Sequence, residues 1–228
     1  SFCGQVVLRT LLGRRPGHIL VSTSPPMAGL IAVVANALRG VPFTYWVMDI
    51  NPDQAVALGK VRPGSLPVRL FEGLNRTILK RARSMVVLDR FMEETMVRKL
   101  PAARDKAAVI APWPLEGSLE DVGRTGNPFR KEHGLEDKFV IMHSGNHSLV
   151  HPLDTVLEAA RALRGDARLA FVFVGGGAGK QTVEAFRDKH RLQNLLCLPY
   201  QPLERIKYSL SAADVHLVSM GGDMAGIV

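Results

Sequence analysis

Three histidines stand four residues apart in the stretch HSGNHSLVH, at His143, His147 and His151. On an unbroken helix that spacing stacks three imidazoles on one face, as in many zinc sites. Gly145 and Pro152 argue against such a helix. The expected arrangement is instead a strand ending at His143, a turn at Gly145 and Asn146, and a helix starting near Pro152, with no metal. Two readings of that turn stay open. Free backbone N–H groups, backed by the helix dipole, can hold a phosphate, with His147 and His151 as further donors. Equally, the segment can be an ordinary turn with exposed histidines.

A second segment, FVGGGAGK, resembles two phosphate-binding motifs and satisfies neither. A Walker A loop needs a glycine five residues before Gly179, where Val174 stands, and a Ser or Thr after Lys180, where Gln181 stands. The dinucleotide fingerprint started at Gly175 places Lys180 where its last glycine belongs. What remains at Gly175, Gly176 and Gly177 is a flexible turn that lets a ligand or an opposing domain come close to the backbone.

The third candidate is Asp49 in MDINPD, at the expected carboxyl end of a strand and four residues before Asp53. A carboxylate there either orients and deprotonates a hydroxyl or caps a turn. In NRTILKRAR, Arg76, Lys80, Arg81 and Arg83 interleave with Ile78, Leu79 and Ala82, a pattern of a solvated helix face or of a peripheral membrane surface.

Alternating elements must position these groups. Strands are expected at HILVSTS, VPFTYWVMD, SMVVLD and KAAVIAP, with helices at MAGLIAVVANALRG, LFEGLNRTILKRAR and RFMEETMVRKL. After a Gly-, Pro- and charge-rich stretch the alternation resumes with strands KFVIMHSGN, RLAFVFVGGG, NLLCLPY and DVHLVSM, and helices PLDTVLEAARALR, GKQTVEAFRDKH and PLERIKYSLSAA. This order implies α/β architecture with two parallel sheets. The expected division is a first Rossmann-like domain over 1–115, a linker over 116–137 and a second Rossmann-like domain over 138–228. Ligands of such sheets bind at the carboxyl ends of the strands.

The composition narrows the function. The chain has 228 residues and a net charge of +8, with 16 Lys and Arg against 7 Asp and Glu in residues 1–115, and 13 against 14 in the remainder. The basic half suits a phosphorylated substrate, an anionic membrane surface or nucleic acid. Aromatic residues are 6% and do not interleave with the cations, which disfavours nucleic acid. Cys3 and Cys197 form no C-x-x-C pattern, and no apolar run is long enough to span a membrane, so a cytoplasmic setting is expected.

Taken together, STSPP, DINPD, VIAPWP, HSGNHSLVHPLDTVLEAA, FVFVGGG, NLLCLPYQPLERIKYSLSAADVHLVSM and MAGIV resemble, in order and spacing, the family 4 glycosyltransferases of GT-B architecture. The similarity is greatest to the bacterial branch that builds exopolysaccharide, colanic-acid and O-antigen chains. The resemblance implies retaining, metal-independent and cofactor-free transfer of a sugar from a UDP- or GDP-type nucleotide-diphosphate sugar to a lipid-linked or saccharide acceptor. It sets the enzyme at the inner face of the plasma membrane. By position, Gly145, Asn146, His147 and His151 would approach the donor diphosphate. Gly175, Gly176 and Gly177 would line the nucleotide pocket, Tyr200 would lie beside the base, and Asp49 would face the acceptor. Where many members carry an arginine and a lysine on the diphosphate, this chain has Asn146 and His151. Against the family pattern both domains look incomplete, the chain being short at each end. An epimerase of the same architecture and a non-catalytic binding module are the alternatives.

Overall fold

Four short β-branched and aromatic runs form the first sheet. They are β1 (Ile19–Ser22), β2 (Phe43–Trp46), β3 (Ser84–Val87) and β4 (Ala107–Val109), all parallel and ordered β1-β2-β3-β4. The computed structural model describes residues 2–113 and 120–227, apart from the side chains of Phe2, Cys3 and Asp223. The helices of this unit are α1 (Phe2–Leu12), α2 (Gly29–Arg39), α3 (Asp53–Ala57), α4 (Leu66–Arg81) and α5 (Arg90–Lys99). Two of them stop or start for a clear local reason. Gly40 ends α2 in the left-handed conformation (φ +62°). Asp89 caps α5 by accepting the Met92 N–H at 2.8 Å. Phe43, Val47, Ile78, Met85, Val87 and Met92 fill the core.

The second sheet contains β5 (Phe139–Asn146), β6 (Leu169–Gly176), β7 (Leu195–Leu198) and β8 (Val215–His216), parallel and ordered β7-β6-β5-β8. Its helices are α6 (Pro128–Glu132), α7 (Asp154–Ala162), α8 (Lys180–His190) and α9 (Ile206–Ser211). All but the first and last residues of β6 are buried, as expected where helices cover both faces of a parallel sheet. One core, around Phe129, Val140, Met142 and Val172, lies on one face. The other, around Leu157, Phe171, Phe173, Val183 and Leu195, lies on the opposite face. The chain visits β5, β6 and β7 in one direction and then returns to lay β8 on the other side of β5. That reversal puts a topological switch point between β5 and β8.

The α/β architecture with two Rossmann-like parallel sheets is present, while the boundaries differ from those expected. One unit comprises residues up to Pro112 together with Gly222 onward, and the other runs from Trp113 to Gly221. The C-terminal segment joins the first unit because the Ile50 N–H donates to the Ile227 carbonyl at 2.8 Å. Within the expected linker, residues 116–119 lie outside the described residues, and residues 120–137 are structured. Asn127 caps α6 through the N–H groups of Phe129 and Arg130, and the Phe129 side chain is fully buried. A linker composition concealed a helix anchored by one aromatic side chain.

Candidate functional site

The second unit places its chemistry at the carboxyl ends of β5, β6 and β7. Gly145 and Asn146 are the last residues of β5, paired in register with Gly175 and Gly176 of β6. Four closely spaced glycines meet different surroundings. A Cβ on Gly175 would fall 1.9 Å from the Gly145 carbonyl oxygen, and one on Gly177 would fall 2.2 Å from Asn146 Oδ1. At Gly176 a Cβ would meet the Tyr200 ring at 3.0 Å, whereas at Gly145 nothing lies within 4 Å. Gly175 and Gly177 are therefore required by the chain's own close packing, whereas a side chain at Gly176 would press only on the exposed Tyr200 ring. Gly145, at φ +150°, is the one that leaves space open at the strand end.

This changes the reading of the glycine turn. Gly175 admits the Gly145 carbonyl at the end of β5 and Gly177 admits Asn146 and His147, so their closest neighbours are protein atoms. Tyr200 is largely exposed, and its hydroxyl donates to the Gly176 carbonyl at 3.3 Å. Its ring thus covers the turn, beside the position expected for a base.

His147 differs from expectation more sharply. Its residue exposure is only 1%, and its backbone ties two segments together: its N–H donates to Gly176 O and its carbonyl accepts from the Gly179 N–H, both at 2.7 Å. A carbonyl can only accept, so His147 Nδ1, 3.3 Å from Gly176 O, carries the proton. His143 is arranged in the same way toward Leu217 O, also at 3.3 Å. Both Nε2 atoms are buried without a partner among the described residues. The two rings meet edge to face with centroids 5.0 Å apart, and burial pushes both imidazoles below their ordinary pKa. His147 is a neutral structural side chain at pH 7, not an exposed donor for an anion.

The expected free N–H groups of this turn are largely engaged as well. Besides His147, Ser148 donates to the Asn146 carbonyl at 2.8 Å and His151 to the Ser148 carbonyl at 3.0 Å. His151 Nδ1 is bonded to the Ser219 carbonyl, which fixes the segment after β8. His147, His151, Asp154 and the start of α8 line a cleft of about 160 Å³. The three histidines share no helical face, and among the described residues no group of three His, Cys, Asp or Glu is placed to hold a metal.

Lys180 has a part that sequence inspection did not give it. The first residue of α8, it turns its ammonium back to the Gly175 carbonyl (2.9 Å) and the Leu198 carbonyl (3.1 Å). It therefore brings a cation to the carboxyl edge of β6 and β7. The signal was present as a lysine opening the helix after a glycine turn. Cys197, the neighbouring thiol on β7, is half-buried, and burial pushes its pKa up, which makes it a poor nucleophile.

In the first unit Asp49 follows β2, on a turn held by one hydroxyl. Thr23 Oγ1 accepts the N–H groups of Met48 (3.1 Å) and Asp49 (3.2 Å). Asp49 lines a small depression of about 20 Å³ together with Thr23, Tyr45, Phe71, Asn75 and Lys99. Burial pushes the Tyr45 phenol up to about 12, so it stays protonated. Asp53 opens α3 and pairs with Lys99 at 2.7 Å, leaving Asp49 as the carboxylate that faces the depression.

Comparison with known proteins agrees with this architecture. Residues 4–113 match the family described as glycosyl transferase 4-like domain. The probable glycosyltransferase WbjE of Pseudomonas aeruginosa is 26% identical over 218 residues, covering 96% of this chain and 54% of the relative. The putative colanic acid biosynthesis glycosyl transferase WcaI of Escherichia coli K12 is 27% identical over 185 residues, 79% of this chain and 45% of that relative. The chain thus spans about half the length of the curated relatives it matches. Among solved structures, Anabaena Alr3699/HepE in complex with UDP and glucose superposes with a TM-score of 0.73 at 14% identity, covering 96% of this chain and 56% of that one. Sucrose-phosphate synthase from Thermosynechococcus elongatus gives 0.73 at 13% identity, covering 97% and 55%. These likenesses fix the fold as that of GT-B glycosyltransferases. Residues 4–113, just under half of the chain, match a glycosyl transferase 4-like domain, and both curated relatives are named as glycosyltransferases.

Proposed function

We propose that this chain carries the sugar-transferring core of a retaining glycosyltransferase, which moves a sugar from a UDP- or GDP-type nucleotide-diphosphate sugar to a lipid-linked or saccharide acceptor. The observation that carries the reading is the open Gly145 at the β5–β8 switch point, next to a glycine turn otherwise closed by the chain itself. A diphosphate backbone can approach there without meeting a Cβ. Lys180 and the N-terminus of α7 offer positive potential where the leaving diphosphate gains charge, and stabilising that charge lowers the barrier to breaking the sugar–phosphate bond. Tyr200 gives the base an aromatic face.

In retaining transfer of this kind the anomeric C–O(phosphate) bond breaks, the acceptor oxygen bonds to the same carbon from the same face, and the acceptor proton passes to the leaving phosphate oxygen. Asp49 then orients the acceptor hydroxyl, and the protonated Tyr45 phenol borders the same depression. No metal or other cofactor is required by this scheme. No helix of the described residues is long and apolar enough to cross a membrane. The basic α4, with Leu66 and Leu70 exposed, is suited to the anionic surface of the inner membrane leaflet.

Calorimetric titration with UDP, GDP and their sugar conjugates, with and without EDTA, tests the donor half. Binding unaffected by EDTA and weakened by Gly145→Val is expected, and absence of binding to every nucleotide would sink the reading. His147→Ala is unsuitable as a probe, because the buried ring holds the loop. Asp49→Asn is expected to leave nucleotide affinity unchanged and to slow transfer by roughly 10²-fold or more.

A further inference from the structure

Residues 217–221 are bonded at short intervals to β5 and to the loop that follows it. The Leu217 N–H donates to the Met142 carbonyl at 2.8 Å, and the Leu217 carbonyl accepts from His143 Nδ1 at 3.3 Å. The Ser219 carbonyl accepts from His151 Nδ1, and the Gly221 N–H donates to the Val150 carbonyl at 3.0 Å. One residue later the chain belongs to the first unit. Met224, 4% exposed, closes a 3₁₀ turn over Gly222–Met224 that packs against α3. Gly226, at φ +68°, lies so near the start of α5 that a Cβ on it would fall 2.7 Å from the Phe91 carbonyl oxygen. Ile227 packs on the first core, and its carbonyl accepts the Ile50 N–H at 2.8 Å. That last bond bears on Asp49. The Asp49 N–H is held by Thr23 Oγ1 at 3.2 Å, and the next N–H along the chain is held by Ile227. The carboxylate therefore stands on a turn fixed from two sides, one of them by residues that continue from the second sheet.

We propose that residues 217–227 are a tether that couples the β5–α7 loop to the Asp49 turn, so that a nucleotide bound at the loop resets the bond between Ile227 and Ile50; this rests on the donor half of the proposed function. The span between the two sets of anchors is short. Three residue steps separate Gly221 from Met224, and unwinding the 3₁₀ turn from about 2.0 to about 3.3 Å per residue adds only about 4 Å of reach. A larger displacement of the loop must pull on Ile227 or break an anchor. Gly221 and Gly222 form the joint, and a Cβ on Gly222 would meet nothing within 4 Å, so the backbone there is free to absorb a change of direction. Linkage makes the coupling reciprocal: a ligand that resets the Asp49 turn changes nucleotide affinity by the same factor as the nucleotide changes its own.

The test uses the whole chain, ¹H–¹⁵N NMR and amide hydrogen exchange, with UDP and GDP as probes. In the main variant a Gly-Ser-Gly-Ser segment is inserted between Gly221 and Gly222, which keeps every anchor and adds roughly 13 Å of slack. Its melting curve and its Ile50 exchange protection without nucleotide should match those of the unmodified chain. A saturating nucleotide is expected to shift the Ile50 and Ile227 amides and to change Ile50 exchange about tenfold or more in the unmodified chain, and to do neither in the lengthened one, although both bind it. Amides that ignore the bound nucleotide, or that respond equally in both proteins, would overturn the proposal. His151→Ala releases the Ser219 carbonyl and so disturbs the tether without any ligand. It should move the Ile50 and Ile227 amides of the unmodified chain and leave those of the lengthened chain in place. If neither nucleotide binds, the transferase reading falls, and His151→Ala still decides the tether: an Ile50 amide that it does not move in the unmodified chain sinks the coupling.

Discussion

The Gly145 carbonyl oxygen occupies the position that a side chain on Gly175 would need, 1.9 Å from where its Cβ would lie. The contact is backbone to backbone, so neither partner can rotate away. Gly175→Ala must separate the ends of β5 and β6 and is expected to cost roughly 3 kcal/mol or more, within the range of severe overpacking and strain. Gly145→Ala meets open space and bears only the strain of φ +150°, about 1–3 kcal/mol. Urea unfolding of the two variants should therefore rank Gly175→Ala below Gly145→Ala. The reverse order would show that the two glycines have been assigned the wrong roles.

The buried pair His143 and His147 makes the second unit sensitive to mild acid. Burial lowers both pKa values in the folded chain, so the unfolded chain binds more protons below its ordinary value of 6.5. Stability from this source is complete above pH 6.5 and is lost as pH falls from there toward the depressed folded values. The melting temperature should fall between pH 7 and pH 5. Replacing both residues by Asn, which can still donate to the Leu217 and Gly176 carbonyls, should flatten that slope. A slope of equal size in the variant would assign the acid sensitivity to other groups.

The strand and helix alternation was legible because each β-strand is a short apolar run bounded by turn residues, as VPFTYWVMD and RLAFVFVGGG illustrate. Helix α1, read over no periodic stretch, and the five-residue helices α3 and α6 escaped, since one turn of helix carries too little periodicity to register. The candidate site was legible in position and not in role. Gly145, Asn146, Gly175, Gly176, Gly177 and Tyr200 do converge, because β5 and β6 pair in register to their last residues. Whether a glycine faces a ligand or a neighbouring loop depends on contacts about thirty residues apart in sequence, which local spacing does not encode. His147 is the clearest case: a histidine after a turn reads as exposed, yet Phe173, with ring centroids 6.1 Å away, and the first turn of α8 bury it. Arg130 and Asp214 were missed for a similar reason.

Those two residues form the electrostatic centre of the second unit. Asp214 Oδ2 accepts from Val140 N–H at 2.7 Å and lies 3.0 Å from Nη2 of Arg130, while Arg124 binds its other oxygen. Burial alone would raise the carboxyl, but the Val140 N–H and the two guanidinium groups outweigh it and hold it below the usual range. Arg130 is 2% exposed and also donates to the Leu135 carbonyl at 3.0 Å. Asp214→Asn keeps the shape and strands a buried cation, with an expected loss of about 3–5 kcal/mol. The folded pKa is depressed, so this contribution is present above the unfolded value near 3.8 and disappears as pH falls through the folded one. The gap between wild type and variant in urea midpoints should accordingly be wide at pH 6 and narrow below pH 4.

Helix α4 exposes two leucines one turn apart, Leu66 at 80% and Leu70 at 64%, on a segment flanked by Arg62, Arg69 and Lys80. Apolar tips can enter the headgroup region while the cations meet anionic lipid, and either feature alone binds only weakly. In flotation assays the chain should rise with phosphatidylglycerol-containing vesicles and remain behind with purely zwitterionic ones. Leu66→Ser/Leu70→Ser should reduce recovery severalfold even at low salt, because about 1 kcal/mol or more of apolar burial per leucine is lost. Arg62→Gln/Arg69→Gln should make the remaining binding insensitive to salt. If the leucine variant floated as well as the wild type and only salt released both, the surface would be an electrostatic contact without insertion.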